Sequence, residues 1–169
     1  MNNSMINIRQ MKLSDLPSIM LVQAASYSDI IPESANSMLA KLLASPSTCF
    51  VAIQNDKVIG YLISLPWEFS NPPALNMQYC TLPSHPDCLY LHDLAIDPTT
   101  RKSGAAPALV KTFLNKLAEL GFNRASLIAI QNSASYWRRY GFEIVEAPEE
   151  LNEKITSYGE DTFYMVKSS

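Results

Sequence analysis

The chain is short of the residues that build metal, disulfide and nucleic-acid proteins. Its three cysteines, Cys49, Cys80 and Cys88, are odd in number and have no C-x-x-C spacing. That argues against a disulfide framework or a cysteine zinc site and fits reduced thiols. Histidine is scarcer still. His85 and His92 could bind a metal only with help from distant carboxylates, so no metal is expected. Positive charge is also lacking: 13 Lys and Arg against 16 Asp and Glu leave a net −3, which gives no electrostatic footprint for nucleic acid. No apolar run approaches the roughly 20 residues needed to cross a bilayer, and Met1-Asn2-Asn3-Ser4 lacks the basic start and apolar core of a signal peptide. A cytoplasmic chain with no membrane partner is the expectation. Glycine is scarce, at five residues; the fixed three-glycine pattern of the dinucleotide fingerprint is absent, and no Gly-Lys-Ser/Thr phosphate loop occurs.

What the chain does contain is apolar material. With 47% hydrophobic and 17% charged residues over 169 positions, it can bury one substantial core, so a single domain spanning residues 1–169 is expected. Alternation over Ile6 to Met11 predicts a first strand. Ser14 reads as the cap of a helix carrying Leu16, Ile19, Met20 and Gln23 to Ala24, with Asp15 and Pro17 in its first turn. Met38, Leu39, Leu42 and Leu43 predict a second helix, ended by Pro46. Cys49 to Ile53 and Val58 to Leu65 read as a hairpin joined through Asn55 and Asp56. The proline-rich stretch from Pro66 to Asp87 reads as an irregular, substrate-facing wall.

Regular structure resumes with a strand from Leu89 to Ile96, stopped by Asp97-Pro98. Leu109, Phe113, Leu117 and Leu120 then recur at helical spacing, with Val110 and Leu114 beside them and Gly121 where a C-terminal cap belongs. Ala125 to Ile130 reads as a buried strand and Ser133 to Tyr140 as a short helix closed by Gly141. Phe142 to Val145 and Thr162 to Val166 read as the last strands. The order predicts a mixed α/β sheet covered by helices.

The chemistry concentrates between Tyr90 and Ala108. A strand runs into Asp97-Pro98-Thr99-Thr100, then Arg101-Lys102-Ser103-Gly104-Ala105-Ala106, then a helix. A helix N-terminus offers amides without intrahelical partners and the positive end of a dipole, and small residues let a phosphate approach the backbone. Arg101 and Lys102 add charge, and Pro107 costs little in a first turn. The pattern points to an anion site.

Arg101, Gly104 and Ala106 resemble the Arg/Gln-x-x-Gly-x-Gly/Ala acyl-CoA motif of the GNAT superfamily of N-acetyltransferases. Asp93-Leu94-Ala95-Ile96-Asp97-Pro98 looks like that family's strand entering the loop, and Tyr136-Trp137-Arg138-Arg139-Tyr140-Gly141-Phe142 is similar to its aromatic helix ending in Gly-Phe. The resemblance extends nearly end to end. It implies a mostly antiparallel twisted α/β sheet of six to seven strands with about four helices and splayed central strands. It also implies acetyl-CoA as co-substrate. The backbone of Leu94 and Ile96 would then bond the pantetheine arm, with Ala95 between them in the same cofactor-binding segment and Asn132 either a further contact or a helix N-cap. The amides of Lys102, Ser103, Gly104, Ala105 and Ala106 would hold the diphosphate beside Arg101.

A narrower likeness, carried by Tyr90-Leu91-His92-Asp93-Leu94-Ala95-Ile96 and Gly104-Ala105-Ala106-Pro107, is to the arylalkylamine branch, whose strand carries two histidines. Here His92 stands at the second position and Tyr90 at the first. An alkyl ammonium with a pKa near 10.4 must lose a proton before it can attack a thioester, and imidazole, near 6.5, is a suited base. Adjacent strand residues face opposite ways, so His92 and Asp93 share a face only if a bulge intervenes. A backbone amide near Leu94 to Ile96 would stabilise the carbonyl oxygen. Trp137 aligns with the family's acidic tyrosine and cannot donate in the required range, leaving Tyr136 and Tyr140 as candidate acids. Glu146, Glu149, Glu150 and Glu153 form an acidic cluster, read first as a solvated run.

The resemblance thus implies direct acetyl transfer in a ternary complex to a small primary amine, arylalkylamine or polyamine-like, by a monomer or homodimer. A protein N-terminal or lysine acetyltransferase is one alternative. A non-catalytic acyl-CoA-binding module is the other.

Overall fold

The computed structural model describes residues 5–26, 33–69, 71–73, 78–130, 133–146 and 162–168. Among these, seven strands form one sheet: β1 (Asn7–Gln10), β2 (Cys49–Gln54), β3 (Lys57–Trp67), β4 (Cys88–Ile96), β5 (Arg124–Ala129), β6 (Glu143–Ile144) and β7 (Phe163–Ser168). The spatial order is β1-β2-β3-β4-β5-β7-β6. Every neighbouring pair is antiparallel except β4 with β5. Four α-helices are present among the described residues: α1 (Leu16–Ser26), α2 (Ala35–Ala44), α3 (Ala105–Leu120) and α4 (Ala134–Arg138).

The period-two alternation of the strands divides the core into two layers. Phe50, Ala52 and Leu62 pack with Leu109, Val110 and Phe113 of α3 and Trp137 of α4. Their sequence neighbours Cys49, Val51, Tyr61 and Ile63 pack on the other face with Ile19 and Val22 of α1 and Met38 and Leu42 of α2. The α3 stripe is the predicted one, and Gly121 closes the helix in a left-handed conformation (φ 77°). The hairpin turn is also as expected: Asn55 and Asp56 both adopt positive φ, 53° and 60°, the geometry of a tight primed turn.

Local departures have physical causes. Ser14 is not a helix cap; it lies inside a 3-10 turn, Leu13–Asp15, ahead of α1. Asp15 does the capping, accepting the Lys12 amide (2.8 Å) and a bidentate pair of bonds from Arg9 (2.7 and 2.9 Å). The guanidinium holds its carboxyl below the usual range. In α2 the buried face is Ser37, Met38, Lys41 and Leu42, whereas Leu43 is exposed. The predicted apolar stripe is therefore rotated. Strand β3 runs past Pro66 to Trp67, with Pro66 opposite Leu89 of β4. Residues 78–81 fold against α2: Gln78 Nε2 donates to Ser34 Oγ (3.2 Å), and an open groove of about 550 Å³ lies between them.

Candidate functional site

The parallel pairing of β4 with β5 covers only Leu89, Tyr90 and Leu91 against Ala125, Ser126 and Leu127. Beyond that point β4 continues along β3 to Ile96 and β5 continues along β7 to Ala129. The two central strands thus part company halfway along the sheet. The Asp97 amide donates to the Ile59 carbonyl (2.7 Å), which fixes the alternation: Leu94 and Ile96 lie in non-hydrogen-bonded pairs with Leu62 and Gly60, so their backbone groups point away from β3, toward the gap. Gly60 permits this closeness, since a Cβ there would meet Ile96 Cδ1 at 2.5 Å. The Ser26 hydroxyl lies 2.9 Å from the Ile96 carbonyl oxygen, so α1 already contacts this edge.

At the end of β4 the chain enters the anion loop. Asp97 caps a 3-10 turn, Pro98–Ser103, accepting from the Thr99 amide (3.0 Å). Gly104 follows in the left-handed region at φ 90°, and a Cβ built there would meet nothing within 4 Å. Open space therefore lies above the backbone where α3 begins. The Ala105 amide is 3.3 Å from Ser103 Oγ, Ala106 lies in the first turn, and Arg101 and Lys102 are exposed at the rim. A left-handed glycine facing open space, a 16-residue helix N-terminus and two adjacent cations fit a diphosphate.

His92 sits where β4 and β5 diverge. Asp93 pairs with Ile63 and Leu91 with Ser64, so His92 is the extra residue of a bulge. Its side chain is fully buried (0% exposed) and its Nε2 bonds the Glu33 carboxylate. Glu33 precedes α2 and joins three elements. Its other oxygen accepts from Ser37 Oγ (2.7 Å) and Lys41 Nζ (2.8 Å), both of α2. Its backbone is held from both sides by the amide of Gln23 of α1 (3.0 and 3.1 Å). Burial alone would push the Glu33 carboxyl up, but His92 and Lys41 outweigh it and hold it well below the usual range. An ionised Glu33 only accepts hydrogen bonds. The imidazole therefore carries its proton on Nε2 when neutral, leaving a lone pair on Nδ1, and Nδ1 has no hydrogen-bond partner among the described residues.

The aromatic helix is built differently from the family pattern. Trp137 is buried in the α3-side core, with its ring 5.8 Å from that of Phe142. Tyr136 and Tyr140, one turn apart, share a hydroxyl contact of 3.1 Å. Burial, then the bond to Tyr140, pushes the Tyr136 phenol far above its ordinary value, so it stays protonated and able to donate.

The structure thus gathers Leu94 and Ile96 at the strand gap and Arg101 to Ala106 at the start of α3, with His92 on the α1/α2 face where β4 leaves β5; the expected Ala95 contact is not among them, because the alternation turns its backbone groups to Tyr61 of β3 and its side chain is buried in the core. Asn132 and the acidic residues Glu149, Glu150 and Glu153 lie outside the described residues. Among those described, no three His, Cys, Asp or Glu side chains converge on a metal position. The sequence reading missed Glu33, Ser37, Lys41 and Gln23. The one available signal was spacing: Ser37 and Lys41 lie one turn apart on one face of α2, and Glu33 stands four residues before Ser37, just ahead of the helix.

The family model described as Acetyltransferase (GNAT) family matches residues 15–142. The chain belongs to the GNAT acetyltransferase family and is an acetyl-CoA-dependent acetyltransferase. Among solved structures it resembles Ard1 from Thermoplasma volcanium (TM-score 0.72, 15% identity, covering 96% of this chain and 97% of that one). It is also similar to the ribosomal-protein-S18-alanine N-acetyltransferase from Escherichia coli (0.68, 18%, 97% and 94%). A third likeness is to Arabidopsis thaliana Naa50 in complex with the bisubstrate analogue CoA-Ac-MVNAL (0.69, 14%, 97% and 99%). At these identities the likeness establishes the fold. A search of curated protein sequences finds no match. The narrower likeness to the arylalkylamine branch gains no support from these comparisons.

Proposed function

We propose that this acetyltransferase acetylates a small primary amine, and that His92 is the base that takes the acceptor's proton. The observation that carries the reading is the Nδ1 of a buried imidazole, which has no hydrogen-bond partner among the described residues while the opposite nitrogen is fixed by Glu33. A buried polar atom without a partner costs about 1–3 kcal/mol, a cost that an acceptor N–H or one intervening water removes. Acetyl-CoA, when bound, supplies the acetyl group as a thioester. For the diphosphate, the start of α3 from Gly104 offers the cradle, with Arg101 and Lys102 beside it. For the acceptor, Nδ1 receives the proton that the ammonium must shed, while Nε2 stays bonded to Glu33. Tyr136 or Tyr140 then supplies a hydroxyl proton for the departing thiolate, which leaves tolerably even unassisted because thiols titrate near 8.5.

A second reading, acetylation of protein N-termini, is favoured by the peptide-linked bisubstrate analogue carried by one of the similar structures. Thiol release from acetyl-CoA, followed across alkylamines, arylalkylamines, polyamines and short peptides with free N-termini, separates the two. Turnover of small amines supports the first reading. Turnover of peptides alone overturns it.

A further inference from the structure

Gln23 is a polar side chain buried in α1, 2% exposed, that the transfer described above does not use. Burying a primary amide is unfavourable unless both of its ends are hydrogen-bonded. Here both ends are spent on one residue: Gln23 Nε2 donates to the Glu33 carbonyl (3.0 Å), and Gln23 Oε1 accepts from the Glu33 amide (3.1 Å). Nε2 also lies 4.0 Å from Met20 Sδ. Such a reciprocal exchange is what one strand makes with a residue opposite it on the next, and few side chains can imitate it. Asparagine is one methylene shorter, a carboxylate lacks the donor, and an apolar residue lacks both groups.

The contacts close a ring that begins and ends on β4. Gln23 grips the Glu33 main chain, and the Glu33 carboxylate bonds Nε2 of His92. Three residues beyond Gln23 in α1, the Ser26 hydroxyl reaches the Ile96 carbonyl oxygen (2.9 Å). Ile96 is the residue whose backbone faces the strand gap, and His92 stands four residues before it. Between these anchors α1 is fixed in the core by Ile19 and Val22. Ser37 and Lys41 of α2 hold the far oxygen of the Glu33 carboxylate, whereas Gln23 holds the main chain from which that carboxylate projects.

We propose that Gln23 is a positioning residue for the acetyl transfer: by gripping the Glu33 main chain it sets the carboxylate against His92, and so fixes the ring relative to the edge of β4 that faces the donor. This rests on the reading of His92 as base, and the test keeps the two apart.

The full chain supplies the probes by NMR. In the wild type, the Glu33 backbone amide and the Gln23 side-chain amide should exchange with solvent slowly, as groups bonded to each other in the core. Either one exchanging as fast as an exposed amide overturns the proposal, a measurement that decides even if no variant folds. Gln23→Met keeps the length and bulk of the side chain while removing its amide. In that variant the Glu33 amide should exchange faster and the His92 ring signals should shift, with those of the exposed His85 as fixed reference. Unchanged His92 signals in folded Gln23→Met overturn the proposal as well.

The kcat for acetyl transfer to phenylethylamine should fall in Gln23→Met by about 10–100-fold, the scale set by misplacing a reacting group by about 1 Å. Acetyl-CoA binding, read by calorimetry, should stay near wild type. Added to His92→Ala, Gln23→Met should cause little further loss, because residues that act as one unit are not additive. A full additional loss in the double variant places the action of Gln23 elsewhere and overturns the proposal. His92 signals that shift with no fall in kcat leave the grip on Glu33 standing and defeat instead the reading of His92 as base.

Discussion

His92 and Asp93, neighbours in the chain, face the same side of β4. Regular alternation would set them on opposite faces, but the bulge opposite Ile63 and Ser64 inserts one residue and turns both toward α1 and α2. There they have different partners. His92 meets Glu33, and Asp93 accepts from Tyr61 Oη at 2.6 Å.

Separate partners imply separable effects. His92→Ala should lower kcat by about 10²–10⁴ at neutral pH, with partial recovery at high pH where the acceptor deprotonates unaided. Tyr61→Phe removes one buried hydrogen bond and should cost about 1–3 kcal/mol of stability with little change in kcat. Steady-state rates across pH, with chemical denaturation of both variants, check the pair. Equal loss of rate in the two would count against a special role for His92.

Gly104 gives a test of the donor site. Its φ of 90° strains any residue bearing a Cβ, and that Cβ would project into the open space above the start of α3. Gly104→Ala should therefore lose about 1–2 kcal/mol of stability and raise the KM for acetyl-CoA by roughly tenfold, while the KM for the acceptor stays near wild type. A ten-fold change corresponds to about 1.4 kcal/mol of binding. Unchanged acetyl-CoA binding, measured by calorimetry on folded Gly104→Ala, would refute the placement of the diphosphate.

The contrast between these two sites shows what local sequence carries. The anion loop was legible because its physics is local: a capping Asp97, a glycine able to turn left-handed and a helix start lie within ten consecutive positions. The succession of elements along the chain and the stripe of α3 were legible for the same reason, since periodicity is a short-range signal. The His92 cluster was not. Glu33 lies 59 positions from its partner, and nothing in the local sequence around Ser37 and Lys41 marks them until the fold places Glu33 against them. The bulge that turns His92 is a tertiary event with no residue type to mark it. Trp137 was legible only in part: alignment sets it at the family's acid position, where an indole cannot donate, and the fold shows the large ring drawn into the core.

That burial makes a prediction about the missing acid. Trp137→Tyr should not raise the rate, because the ring it replaces fills the core beside Phe142. It should instead destabilise the fold by about 1–3 kcal/mol. Tyr136→Phe and Tyr140→Phe should each lower kcat by no more than about tenfold, leaving KM unchanged, since a thiolate departs tolerably without help. A gain of activity in Trp137→Tyr, read from thiol release, would show that the alignment and not the packing identifies the acid.

Glu33 predicts the acid sensitivity of the fold. His92 and Lys41 hold its carboxyl below the value it would have in the unfolded chain, about 4.3. The unfolded state therefore binds more protons than the folded one wherever the pH lies between the two values, so the associated stabilisation is complete above about pH 5 and is lost progressively as the pH falls. Asp15, lowered by Arg9, acts in the same direction. Denaturation midpoints for the wild type should thus fall steadily below about pH 5. Glu33→Gln removes the carboxylate and leaves the Lys41 ammonium buried without its ionic partner, which should cost about 3–5 kcal/mol at pH 7 and flatten the decline in acid, so the two curves converge as the pH drops. Curves that stay parallel from neutral to acid pH would mean that Glu33 is not ionised in the folded protein, and the ion-pair cluster around His92 would have to be redrawn.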